Sequence, residues 1–200
     1  MRRRHLPAVG VVLAGGRGVR MGGPKLALLL RGRPLIAYPI DALRAAVGEL
    51  AVIAKSDAEL PELPGVMVWI EPDEPHNPLL GVVEALALAG GRPVLVCPSD
   101  MPFLRPSLLA QLSHTHTDGA PAVVATSHGG LVPLLGCYQP EAAELLALES
   151  RHEEVDVSAA VASIRPRLLE VSDPGELFDV NSPEDLLIAA AMMDHPKVKS

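Results

Sequence analysis

The residues best suited to chemistry crowd into one stretch near the start of the chain. Gly15, Gly16, Gly18, Gly22 and Gly23 are interleaved with Arg17, Arg20 and Lys25. Glycines let a backbone adopt unusual dihedrals and let a ligand approach its N–H groups closely. Three cations in the same loop add the charge that suits a polyphosphate. The apolar run at 8–13 just before it reads as a buried first strand. The stretch therefore reads as a phosphate-cradling loop at the C-terminal end of strand one.

Two familiar phosphate loops do not fit. The Walker pattern needs Gly-Lys-Ser/Thr four residues after its first glycine, but Pro24 follows Gly23 where the lysine should stand. The dinucleotide pattern G-x-G-x-x-G starts at Gly16 and Gly18 and then meets Met21. Neither a P-loop ATPase nor a Rossmann dehydrogenase is favoured.

A second centre is Asp100, which follows the short apolar run 94–97. Open α/β sheets bind ligands at the C-terminal ends of their strands. A carboxylate there suits Mg²⁺, a hard cation that takes one or two carboxylates plus phosphate oxygens. The bland alternative is a turn former ahead of Pro106. His114-x-His116 invites a zinc reading, but no cysteine or third histidine has suitable spacing.

The glycine stretch resembles the signature of nucleotidyltransferases acting on sugars and cofactors, L-A-G-G-x-x-x-R-M-G-x-x-K. Leu13, Ala14, Gly15, Gly16, Arg20, Met21, Gly22 and Lys25 meet every fixed position. Three later segments follow in order: Pro78-Leu79-Leu80-Gly81, Ser99-Asp100-Met101-Pro102-Phe103, and Asp179-Val180-Asn181-Ser182-Pro183-Glu184-Asp185-Leu186. Together, over residues 7–187, they resemble the molybdenum cofactor guanylyltransferase family.

That resemblance implies transfer of GMP from GTP to a molybdopterin-type molybdenum cofactor, with release of pyrophosphate. It implies Arg20, Lys25 and Asp100 as catalytic residues and Asp100 as the Mg²⁺ ligand. It implies a nucleotide site from Leu13, Ala14, Gly15, Gly16, Arg17, Gly18, Lys25, Asp73, Pro78, Leu79, Gly81, Asp100 and Asn181. Main-chain N–H groups of residues 14–18 are expected to hold the triphosphate, and Gly81 is expected near a helix start with free N–H groups. GTP and the pterin are the expected substrates, with transient contact to cofactor-synthesis or molybdoenzyme proteins. Two departures from the family pattern bear on the base. Ala54-Lys55-Ser56 stands where an asparagine is common after strand two, and Pro72 displaces the family aspartate, leaving Asp73 nearest. A CTP-using relative, another sugar or cofactor nucleotidyltransferase, and a non-catalytic nucleotide-binding adaptor remain open alternatives.

The elements that must position these residues follow from periodicity. Apolar runs at 49–54, 65–70, 94–97, 120–126, 131–138 and 168–171 read as strands. Helices are expected at 35–47, 82–89, 106–112, 140–148 and 155–164, with another from Pro183. Alternation of this kind gives an α/β fold, Rossmann-like and three-layered, with a mostly parallel sheet. The 200 residues suit one domain, with a core over 6–190 and a frayed tail over 191–200.

With 48% hydrophobic but only 2% aromatic residues, Leu, Val and Ala must fill the interior. The net charge of −7 argues against a nucleic-acid partner. Cys97 and Cys137 sit alone in apolar runs, as buried thiols would in a reducing cytoplasm. Arg2-Arg3-Arg4 before an apolar run mimics a signal peptide, but cleavage after that run would destroy the glycine motif. No apolar run reaches membrane-spanning length, and a cytoplasmic enzyme is expected.

Overall fold

The structure, a computed structural model, describes residues 6–15 and 28–194. Short runs rich in valine, leucine and alanine form the strands of one sheet: β1 (Val9–Leu13), β4 (Leu50–Ala54), β5 (Met67–Ile70), β6 (Val94–Pro98), β7 (Ala122–Ser127), β8 (Gly130–Tyr138) and β9 (Arg167–Glu170). Their order is β5-β4-β1-β6-β8-β7-β9. All neighbours are parallel except β8, which runs antiparallel to both β6 and β7. Two further strands, β2 (Leu29–Leu30) and β3 (Arg33–Pro34), form a separate antiparallel ribbon. Arg31 and Gly32 turn it at φ of 51° and 77°, the left-handed pair that suits a tight hairpin.

Strand residues alternate between two faces, and helices cover both. Val12, Val52, Leu95 and Cys97 pack beneath α1 (Ala37–Ala46) and α3 (Pro106–His114). Val9, Val11, Val94 and Val96 pack beneath α2 (Pro78–Leu88), α4 (Ala142–Leu146) and α5 (Val157–Ser163). This is the expected three-layer α/β/α arrangement. Each fully buried leucine or valine contributes about 1.5–3 kcal/mol, which lets a core poor in aromatics hold. Pro39 does not break α1, because it lies in the first turn where its missing N–H has no helical partner.

A third, smaller cluster joins Leu30 and Leu35 to Val180 and to Ala189 of α6 (Pro183–Asp194). Phe103 and Phe178 meet edge to face beside it, with ring centroids 6.1 Å apart. This cluster seats the ribbon and the 178–181 stretch against the end of β6.

Most helix ends fall within a residue or two of expectation, and the largest differences are at α2 and α6. The second helix begins at Pro78 rather than 82, because Asn77 caps it with its side chain and Pro78 occupies the first helical position. The last helix runs on through Asp194 instead of fraying from 191. Met193 packs on the third cluster and Asp194 pairs with Arg31. Among the described residues no helix is long and apolar enough to cross a membrane.

Candidate functional site

The chain leaves β1, builds β4 and β5 on one side, then crosses back to place β6 on the other side of β1. At such a switch point the loops after adjacent parallel strands separate and leave a crevice. Leu13 and Pro98 are register partners at the top of β1 and β6, so Gly15 and Asp100 follow from neighbouring strand ends. A cavity of about 260 Å³ opens there, and Gly15, Pro78, Gly81, Pro98, Ser99 and Asp100 line it. Leu13, Lys55, Glu71 and Leu134 complete much of its wall.

Gly16, Arg17, Gly18, Arg20 and Lys25 lie outside the described residues. The segments flanking them are described. Gly15 lines the cavity. Beyond the loop, Leu35 donates its N–H to the Leu28 carbonyl at 2.7 Å, and Leu28 packs on the cluster that contains Val180.

Asp100 is half-buried at the end of β6. Val180 donates its N–H to the Asp100 carbonyl at 3.0 Å, which brings the 178–181 stretch alongside. That stretch is also held from below. The Arg105 N–H donates to Glu176 Oε2 at 3.1 Å, and the Arg105 guanidinium pairs with Asp173 and Glu176. Burial pushes the Glu176 carboxyl up, while hydrogen bonding and charge from Arg105 oppose the rise. Asn181 is exposed, its Nδ2 donating to Asp179 Oδ2 at 2.5 Å and its N–H to Asp185 Oδ2 at 3.0 Å. Ser182 Oγ accepts from the Asp185 N–H at 3.1 Å, so Ser182 and Asp185 together cap α6.

Several expected roles change in detail. Ala14 spends its N–H on the Ile53 carbonyl at 2.8 Å, so that N–H is not available to a phosphate as expected. Leu79 is fully buried in the core under the sheet, and its N–H is taken by Asn77 Oδ1 at 2.9 Å. Leu80 likewise donates to the Asn77 carbonyl at 3.0 Å. The first N–H groups of α2 are therefore not free, and Gly81 sits a turn inside the helix. Asp73 is exposed and outside the cavity wall; it accepts from the N–H and Oγ of Ser56 at 3.1 and 2.9 Å. Those bonds hold its carboxyl below the usual range and make it a clasp between the loops after β4 and β5.

Sequence reasoning passed over Lys55 and Glu71 as site residues. Because β4 and β5 pair in parallel, with Ala54 opposite Ile70, the two side chains emerge together at the strand ends. Lys55 Nζ lies 3.4 Å from Glu71 Oε1, and both side chains are under 10% exposed. The only local signal was a lysine and a glutamate each closing an apolar run.

Both thiols are buried, which pushes Cys137 up to about 12 and Cys97 higher still. Neither is a nucleophile near neutral pH. Among the described residues no group of three or more His, Cys, Asp or Glu is arranged to hold a metal. The half-buried carboxylate of Asp100 lines the cavity, and such a group suits a cation that keeps its waters and shares phosphate oxygens, as Mg²⁺ does.

Residues 10–166 match the family described as the MobA-like NTP transferase domain. The chain is 34% identical to the molybdenum cofactor guanylyltransferase of Cereibacter sphaeroides, over 92% of this chain and 96% of that one. Molybdopterin-guanine dinucleotide biosynthesis protein A from Archaeoglobus fulgidus superposes with a TM-score of 0.72 at 20% identity, covering 93% of this chain and 98% of that one. A Mycobacterium tuberculosis protein solved in complex with manganese gives a TM-score of 0.69 at 21% identity, covering 92% and 98%. At these identities the solved structures speak to the fold.

Proposed function

Because the chain belongs to the MobA-like NTP transferase family, we propose that it transfers GMP from GTP to a molybdopterin-type molybdenum cofactor. The products are the guanine dinucleotide form of the cofactor and pyrophosphate. The observation that carries this reading is the shared cavity: Gly15, opening the glycine loop, and Asp100, closing β6, line one crevice at the sheet's switch point.

In the reaction, a phosphate oxygen of the pterin attacks the α-phosphorus of GTP. One P–O bond forms, the bond to the β-phosphate bridging oxygen breaks, and pyrophosphate leaves with the electron pair. Main-chain N–H groups from Gly15 to Gly18, with Arg20 and Lys25, hold the triphosphate and stabilise charge on the departing oxygens. Asp100 would hold Mg²⁺, with Asp179 and Asn181 close by through the Val180 bond. Bound there, the ion supplies charge neutralisation on the phosphate oxygens. Leu134 offers an apolar wall where the acceptor enters. Leu134 lies in the part of β8 where the register against β7 jumps after Val124, and it lines the cavity. No covalent intermediate on the protein is required.

We place the reaction in the cytoplasm, in keeping with two unpaired thiols, and assign its product to transient handover to cofactor-synthesis or molybdoenzyme proteins. The test is a panel of GTP, CTP, ATP and UTP with molybdopterin cofactor and Mg²⁺, scored by pyrophosphate released. Release with GTP above all others is expected. Release with CTP instead would assign a cytidylyltransferase, and GTP binding without release would assign an adaptor.

A further inference from the structure

The Lys55–Glu71 pair is a buried ionic feature of the cavity wall that the transfer chemistry does not use. Burying a carboxylate is costly unless its acceptor positions are satisfied. Lys55 has three N–H donors; two go to the Pro72 carbonyl and, at 3.2 Å, the Pro75 carbonyl, and the ammonium pairs with Glu71 Oε1 at 3.4 Å. These contacts tie Lys55 to the loop after β5. Glu71 is different. A carboxylate can accept about four hydrogen bonds, and Lys55 approaches only one of its oxygens.

The two glycines beside Glu71 say where its carboxylate points. A Cβ on Gly15 would lie 2.3 Å from Oε1, and a Cβ on Gly81 would lie 2.9 Å from Oε2. Gly15 and Gly81 both line the nucleotide cavity. The carboxylate therefore sits between Gly15 at the end of β1 and Gly81, a turn inside α2, with acceptor capacity facing the cavity.

We propose that Glu71 reads the nucleotide base, accepting from two adjacent N–H donors, and that Lys55 is the positioning residue that holds it there. This rests on the GTP reading above. Of the four common bases only guanine presents two neighbouring donors, N1–H and the 2-amino group. Cytosine and adenine would set a ring-nitrogen acceptor against the carboxylate, and uracil would set carbonyls beside its single N–H. Each of these leaves like partial charges facing each other, so rejection comes from repulsion as well as from lost bonds.

The test measures dissociation constants of the full chain for GTP, ITP and XTP in Mg²⁺ buffer. ITP lacks the 2-amino group, so the wild type is expected to bind it about tenfold or more weakly than GTP. Glu71→Gln keeps the shape but exchanges one acceptor for a donor, which matches the 2-carbonyl of xanthine. This variant is expected to prefer XTP over GTP, a gain that misfolding cannot produce. Lys55→Gln is expected to narrow the GTP-over-ITP ratio, which a change in stability alone does not move. Equal wild-type affinity for GTP and ITP, or an unaltered preference in Glu71→Gln, overturns the assignment while leaving guanylyl transfer standing. A wild type that binds another nucleotide and not GTP overturns both.

Discussion

The carboxylate of Glu71 fills the space a side chain would need at Gly15: a Cβ there would come within 2.3 Å of Oε1. The glycine that follows β1 is thus coupled to a buried charge at the end of another strand. Gly15→Ala must push aside a side chain held by Lys55, whereas Gly81→Ala meets Oε2 at the milder 2.9 Å. Overpacking of this kind costs about 1–3 kcal/mol. We expect Gly15→Ala to raise the KM for nucleotide more than Gly81→Ala does, and Gly15→Ala combined with Glu71→Ala to lose less than the two single effects added. Steady-state kinetics of the four variants checks this, and strict additivity would contradict it.

Asn77 is 3% exposed and joins two parts of the fold. Its Oδ1 caps α2, and its Nδ2 donates to the Glu149 and His152 carbonyls at 2.9 and 2.8 Å. Asn77→Ala is expected to cost about 2 kcal/mol in urea unfolding, from the lost cap and two unpaired carbonyls. Asn77→Asp keeps the cap but points an oxygen at both carbonyls, so it is expected not to recover that loss. Full recovery would show that only the cap matters.

Burial raises the Glu71 carboxyl above its ordinary 4.5; Lys55 and His76 oppose the rise and Glu84 adds to it. A raised folded value means the native state holds the proton longer than the unfolded chain does. The resulting stabilisation is complete below about pH 4.5 and is lost as pH climbs through the raised value. Glu71→Gln cannot titrate. Its stability is expected to fall less steeply than the wild type's from pH 4.5 towards neutrality, as read by urea midpoints across that range. An identical slope would contradict this.

What was legible in the sequence was what local spacing encodes. The glycine-and-cation stretch, the aspartate after an apolar run and the Asn181-Ser182-Pro183 helix start each announce themselves within a dozen residues. The layered α/β fold followed from alternation along the chain. Lys55 and Glu71 were not legible as a pair, because only the parallel pairing of β4 with β5 sets them side by side. The N–H of Ala14 is taken up by the Ile53 carbonyl, a partner 39 positions away that only the pairing of β1 with β4 brings within reach. The early start of α2 was hidden because its cap, Asn77, and first residue, Pro78, stand ahead of the apolar run that announces the helix. Continuation of α6 to Asp194 depends on its contacts with the distant β2–β3 ribbon.

The central claim is that one triphosphate is gripped from the glycine loop and from the end of β6 together. The most direct measurement is the rate of pyrophosphate release from GTP and molybdopterin cofactor in Mg²⁺ buffer, comparing the wild type with Lys25→Ala and Asp100→Ala. Each variant is expected to fall by about 100-fold or more, with its thermal midpoint close to that of the wild type. Near-wild-type turnover by either variant would contradict the account.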